Sequence, residues 1–353
     1  MKSARALAWS ISLCALAAGG GVALADPAPQ PLAVNAADRA AVSAAGHSFI
    51  SALSKGTQGF GNFKLRTDVG GLALEAGRAG GGGDPVQNPG DLGYSGGATL
   101  GSAHQHPIYL IPTSGTGSSC SAAQPTTCWG NVTQFISDLE TSPLIHVTDQ
   151  YVDARQNNRY PLGTVFAASY PPQANPFTDA DMQAVAHAAA VLLGEAGYHH
   201  LFHIFLVPGQ VECFDATFKV CSSNVFCAYH GSVVFPDVGE VVYSVEPNVV
   251  NVFGCQGPAN RPNGGFDDTY SVLSHETIEA ITDPDGTAWF NITSSGLLGS
   301  EIGDECLFWL FDAQGNFIST NPVVQVFHGR PYDIQTEYNN AAHACTTSAA
   351  QDF

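Results

Sequence analysis

Apolar and polar positions along this chain follow two periods, one helical and one alternating. The most unusual helical segment runs from Asp268 to Thr282. Tyr270, Leu273, Thr277, Ile278, Ala280 and Ile281 occupy most of its circumference. At about 100° per residue, Asp268, Val272, His275, Glu276, Glu279 and Asp283 gather within roughly one quadrant. A helix that is apolar on most sides is a buried helix. Its carboxylates then need a cation, a proton or a metal, because desolvating an unpaired charge is very costly. Pro284 ends the segment, since proline lacks the N–H that would continue it.

Other periodic stretches frame that helix. Pro107–Pro112 (PIYLIP) reads as a strand, and Val132–Leu139 as a helix after the turn at Gly130-Asn131. Thr178–Ala196 reads as a helix, with Thr178 as N-cap, Asp179 and Asp181 in the first turn and Gly197 as the stop. Leu201–Val207 is a buried strand closed by Pro208-Gly209. Ser232–Phe235 and Glu240–Val245 form two more, and Val323–Phe327 a late one. Strands and helices mix without strict alternation. This predicts an α/β or α+β fold with a single mixed sheet and packed helices.

Upstream the pattern weakens. Residues 26–60 are Ala-rich and predict one short helix, Asp38–Leu53, while residues 69–102 carry glycine in bulk, including Gly80–Gly83 and Gly96-Gly97. The expected organisation is a signal peptide over 1–25, an Ala/Gly-rich N-terminal segment and linker over 26–102, and a compact domain over 103–353. Lys2 and Arg5, the apolar run Ala6–Ala18 and the A-x-A site Ala23-Leu24-Ala25 carry the signal-peptide reading.

Composition narrows the function classes. The formal charge is −19, and removing residues 1–25, with two cations and no acid, takes it to −21. An acidic surface argues against nucleic acid or an anionic membrane as partner, and favours divalent cations. No stretch of 18 apolar residues follows the leader. Eight cysteines remain after the leader, an even count that reads as disulfides in an exported chain. Proximity pairs Cys120 with Cys128, Cys213 with Cys221, Cys227 with Cys255 and Cys306 with Cys345. These readings place the protein outside the cell.

The chemistry centres on His275-Glu276-Thr277-Ile278-Glu279. In the zinc-hydrolase pattern H-E-x-x-H, two histidines one turn apart bind the metal and the glutamate between them polarises a bound water. Here Glu279 stands at the second histidine position, and carboxylate oxygen is an acceptable zinc ligand. Glu276 falls where the general base sits. A third ligand is expected from Glu301 or Asp304, which are i, i+3 in Ser300–Cys306. One nitrogen and two oxygens fit Zn2+, with Ca2+ or Mn2+ open because the set is rich in oxygen. His230 is a further candidate to reach the site. His203 reads as a satisfied core histidine, His199 and His200 as surface loop, and Asp283-Pro284-Asp285-Gly286 as a plain turn.

The order of these motifs resembles the Exordium, or phosphate-induced protein 1, family. The matching elements are Gly96-Gly97 before the strand Tyr109–Ile111, Phe135–Leu139 after it, Phe226–Gly231, Ser274-His275-Glu276 to Glu279-Ala280 with Thr282-Asp283-Pro284, then Trp289 and Glu301–Cys306. The likeness spans roughly 94 to 345. It implies an exported protein of the kind associated with plant cell walls and growth, with bacterial relatives, and carries no established activity. The H-E-x-x-E stretch is similar to a zincin metallopeptidase helix and implies metal ligation at His275 and Glu279 with Glu276 as base. Asp283, where asparagine is common, and the Gly-rich front depart from the plant pattern. The expected function is therefore a secreted, disulfide-stapled, zincin-like metallohydrolase acting on a peptide or cell-wall substrate. The alternative is a non-catalytic extracellular binding module with a structural ion or a carboxylate cluster.

Overall fold

The computed structural model describes residues 27–54, 60–66, 73–78, 90–112, 120–121, 124–170, 176–217, 219–252, 255, 261–291, 301–306, 310–311, 317–319 and 322–349. The expected signal peptide lies outside them. The N-terminal part forms β1 (Gln30–Leu32), α1 (Ala36–Ala44), β2 (His47–Ser54), β3 (Phe60–Arg66) and β4 (Ala73–Arg78). The middle follows with β5 (Gly93–Tyr94), β6 (His104–Pro112), α2 (Thr126–Trp129), α3 (Val132–Leu139), α4 (Asp149–Val152), β7 (Phe166–Tyr170), β8 (Phe177–Thr178) and α5 (Asp179–Leu193). Next come β9 (His200–Leu206), β10 (Glu212–Cys213), β11 (Phe226–Phe235), β12 (Gly239–Glu246) and α6 (Phe266–Thr282). The C-terminal part holds β13 (Trp289–Phe290), β14 (Leu310–Phe311), β15 (Phe317–Ser319), β16 (Pro322–Phe327), β17 (Arg330–Gln335), β18 (Glu337–Asn339) and β19 (Ala344–Thr346).

A nine-stranded mixed sheet organises these elements in the order β1-β7-β6-β9-β12-β11-β2-β3-β4. The β1, β7, β6, β9 and β12 pairings are parallel, whereas β12–β11, β11–β2, β2–β3 and β3–β4 are antiparallel. Helices cover both faces, so β9 is buried along its whole length and reads as a continuous apolar run. Successive side chains still point to opposite faces. Ile108, Phe202, Ile204 and Leu206 join Met182, Val185 and Ala189 of α5 on one face. Tyr109 and Phe205 join Phe135 of α3 and Leu273 and Ile278 of α6 on the other. The β16–β17 hairpin packs against α6 through β17 and helps seal that layer.

Local rules account for the helix ends. Thr178 and Asp181 make a reciprocal capping box at the start of α5, and Gly194 ends it at φ 69°. The helix expected over Asp38–Leu53 is shorter than the alanines imply. Asn35 caps α1, Ala45 turns extended, and the chain then enters β2. Phe49 and Ile50 are buried there, and the open edge of β11 supplies the hydrogen-bonding partner that a lone helix could not use. Residues 30–54, expected to precede the compact domain, are therefore built into its central sheet through β1 and β2. All four expected cysteine pairs stand at disulfide distance, which fits an oxidising compartment. No helix among the described residues is long and apolar enough to cross a membrane.

Candidate metal centre

The polar strip of α6 faces the sheet where β11 and β12 lie side by side. The register brings Ser51 of β2, His230 of β11, Ser244 of β12 and His203 of β9 into one row across four strands. Ala228, two residues before His230, packs with Val272 of α6, and Val242 of β12 packs with Ala280. The α6-facing side of β11 and β12 thus carries His230, Ser232, Ser244 and Glu246. Gly231 is needed between Tyr229 and Ser232, because a Cβ there would lie 2.3 Å from the carbonyl oxygen of Phe49.

Every member of the cluster is withdrawn from water. His230, His275, Glu276, Glu279 and Glu301 have no exposed surface, and Asp304 is 4 % exposed. His275 Nε2 lies 3.2 Å from Glu279 Oε1 and 3.6 Å from Asp304 Oδ1. His230 Nδ1 lies 3.3 Å from Glu276 Oε2 and 3.6 Å from Glu279 Oε2, and its Nε2 is 3.8 Å from Glu301 Oε1. Two triads each place one donor atom per residue within 4.8 Å of one another, His275–Glu276–Glu279 and His230–Glu279–Glu301. Glu279 belongs to both.

Support comes from several elements. Asp304 N donates to Glu279 Oε1 at 3.1 Å, and Glu301 N donates to Asp304 Oδ2 at 3.2 Å. Ser51 Oγ donates to Glu301 Oε2. The Asp304–Cys306 segment is a single 3-10 turn, closed by Glu305 N to Glu301 O at 3.1 Å. Gln335 Nε2 donates to Gly303 O at 3.1 Å, fixing the backbone under His275. His230 Nε2 donates to the Asp283 carbonyl at 3.3 Å. A carbonyl only accepts, so this contact puts the proton on Nε2 and leaves the Nδ1 lone pair facing Glu276 and Glu279.

The spacing is that of ligands around an ion. Donors about 2.1 Å from a tetrahedral centre lie about 3.4 Å apart, which matches the separations above. Neither ring nitrogen of His275 and not Oε1 of Glu276 finds a hydrogen-bond partner among the described residues. Buried polar atoms are normally satisfied, so lone pairs converging without protons between them fit a cation. Burial, and then Glu279, hold the Glu276 carboxyl well above the usual carboxylate range. Burial pushes the His275 imidazole down, opposed by the nearby Asp304 charge and Gln335 amide. Glu246 is pushed up to about 8 by burial, and Glu337 is raised by burial and by Glu279. Among the described residues, the ion-pair partners of Glu276, Glu279, Glu301 and Asp304 are histidines.

The residues expected at the site, His275, Glu276, Glu279, Glu301 and Asp304, are all brought together. The division of labour between the last two differs from a simple alternative. Asp304 faces His275, while Glu301 faces His230. Ser51, Glu246 and Glu337 carried no sequence signal, being single polar letters in strands far from the helix. His203 is a satisfied core histidine, bound to Ser244 Oγ at 2.8 Å and Gln105 Oε1 at 3.2 Å. The Asp283–Gly286 segment is a turn in which Asp283 Oδ1 accepts from Ala288 N at 2.7 Å and Asp285 Oδ1 from Thr287 N at 3.2 Å. His200 departs from the surface-loop expectation: it opens β9, is buried, and meets His106 at 3.0 Å. A surface cavity of about 360 Å3 lies beside it, lined by His104, Arg159, Glu195, His199 and His200, none of which belongs to the cluster.

No protein-family model, curated protein or solved structure matches this chain.

Proposed function

We propose that this protein is an exported metal-dependent hydrolase of the metallopeptidase type. The reading rests on one observation: two imidazoles and four carboxylates from three separate chain segments converge in a dry interior with donor spacings of 3.2–3.8 Å. The donor set of nitrogen and carboxylate oxygen suits Zn2+, with Mn2+ the better match if oxygen dominates and Ca2+ less suited to imidazole. His275 Nε2, Glu279 Oε1 and Asp304 Oδ1 would hold the ion. A divalent ion there would supply Lewis acidity and bring the pKa of a water from about 15.7 to about 7.

The chain's own groups do the rest. Glu276 keeps one oxygen turned to His230 and one, Oε1, without a partner. That oxygen is the proton acceptor. With Glu279 and its neighbours neutralised, the repulsion that holds Glu276 protonated falls away, and the carboxylate can take a proton from the attacking water and return it to a leaving amine. His275 and Glu279 are positioned by the helix itself, one turn apart.

A second reading has an observation in its favour. Complete burial of His275, Glu276 and Glu279 suits a structural ion in a non-catalytic extracellular module, because a substrate must reach the acceptor oxygen. Glu276→Gln separates the two. Hydrolysis of a peptide library by the wild-type protein, abolished in the variant with metal content retained, supports the enzyme. Bound metal with no cleavage by the wild type supports the module, and retained cleavage in the variant removes Glu276 from its role.

A further inference from the structure

The two triads share Glu279 but use its oxygens in opposite directions. Oε1 faces His275 Nε2 at 3.2 Å, and Oε2 faces His230 Nδ1 at 3.6 Å. We propose that the centre holds two divalent ions bridged by Glu279, one on His275 and Asp304 and the other on His230 and Glu301, an inference that rests on the metal-centre reading above.

Three observations carry it. First, His230 is set up as a ligand. The Asp283 carbonyl takes its Nε2 proton at 3.3 Å, the arrangement by which metal-ligating histidines are oriented by a backbone acceptor on the other nitrogen. The free Nδ1 then looks at Glu276 Oε2 and Glu279 Oε2. Second, one ion bound at His275 leaves His230 and Glu301 without a function in the cluster, although both are wholly buried and Glu301 is held in place by Ser51 Oγ. Carboxylates are expensive to bury without a counter-charge. Third, charge closes. Glu276, Glu279, Glu301 and Asp304 bring four formal negative charges, which two dications match and one does not.

The buried atoms with no hydrogen-bond partner, both His275 nitrogens and Glu276 Oε1, point into the space between the triads. A carboxylate bridging two ions holds them about 3.5–4 Å apart, the spacing at which hydrolytic two-metal sites clamp an attacking and a leaving oxygen. Glu276 lies next to His230 and to Glu279 in this arrangement, where a proton acceptor serves either ion.

The test counts ions on the full chain. Protein loaded with Zn2+, dialysed, and analysed by mass spectrometry for metal should carry two ions per chain, and His230→Ala should carry one. Protein loaded with Mn2+ should show the exchange-coupled electron paramagnetic resonance signal of a bridged pair, lost in His230→Ala and in Glu301→Gln. The spectrum separates a bridged pair from ions scattered on surface histidines, and it is read on the wild type should either variant fail to fold. One ion per chain with an isolated Mn2+ spectrum overturns the pair and leaves the single-ion centre standing. Two ions with no coupling overturns the bridge. No bound ion overturns both this inference and the metal reading beneath it.

Discussion

Replacing Gly303 by alanine tests the position of His275 directly. A Cβ at residue 303 would stand 2.5 Å from His275 Nδ1, 2.8 Å from its Cε1 and 3.1 Å from Gln335 Nε2. Comfortable contact between such atoms is about 3.5 Å, so the imidazole must retreat by about 1 Å. It has nowhere neutral to go. The ring is wholly buried, and its Nε2 already sits 3.2 Å from Glu279 Oε1 and 3.6 Å from Asp304 Oδ1. Metal–ligand distances tolerate shifts of about 0.2 Å. A displacement several times larger should weaken zinc affinity by about 10- to 100-fold, the size of effect seen when a ligand's support is lost. Overpacking should also destabilise the metal-free chain by about 1–3 kcal/mol. Competition with a zinc-sensitive dye measures the first quantity, and urea denaturation of chelator-treated protein the second. Gly101→Ala is the control, since a Cβ there meets nothing within 4 Å. A Gly303→Ala protein with the zinc affinity and stability of the control would show that the loop does not press on the imidazole and that the site geometry is misread.

Two further outcomes follow from the same structure. Removing the Cys306–Cys345 pair, which spans 39 residues, should cost about 4 kcal/mol in chain-entropy terms. Cys306 follows Asp304 by two residues, so zinc affinity should fall with it; a double serine variant with unchanged affinity would mean that the turn holds its shape without the bridge. Asp179→Asn probes the opposite face. Burial pushes Asp179 from 3.8 up to about 6, against hydrogen bonds from Tyr243, Tyr229 and Gln183. A raised acid pKa means the folded form keeps the proton longer, so this contribution is fully present below about pH 4 and is lost as pH rises to about 6, a swing of about 3 kcal/mol. The asparagine variant should flatten the stability profile across that window, measured by urea denaturation at intervals of pH, and an unchanged slope would assign the titration elsewhere.

Much of the frame was legible in the letters because its signals are local. The α6 strip, the caps of α5, the apolar run of β9 and the cysteine pairs at separations of 8, 8, 28 and 39 residues are each set by neighbours along the chain. So was the pairing of His275 with Glu279, because i and i+4 share a helix face whatever surrounds them. What only the tertiary structure decided concerns residues that meet across elements. That β2 is a strand depends on the free edge of β11, which no window around Ala36–Ser54 contains. That Ser51, His230 and Ser244 line up depends on strand register, where a slip of one residue would turn each side chain to the other face. The choice of Asp304 for His275 and Glu301 for His230 follows from a single 3-10 turn docked beneath α6. Spacing within a segment can nominate ligands, but the low-dielectric pocket that makes them need a cation exists only once distant segments have closed over it.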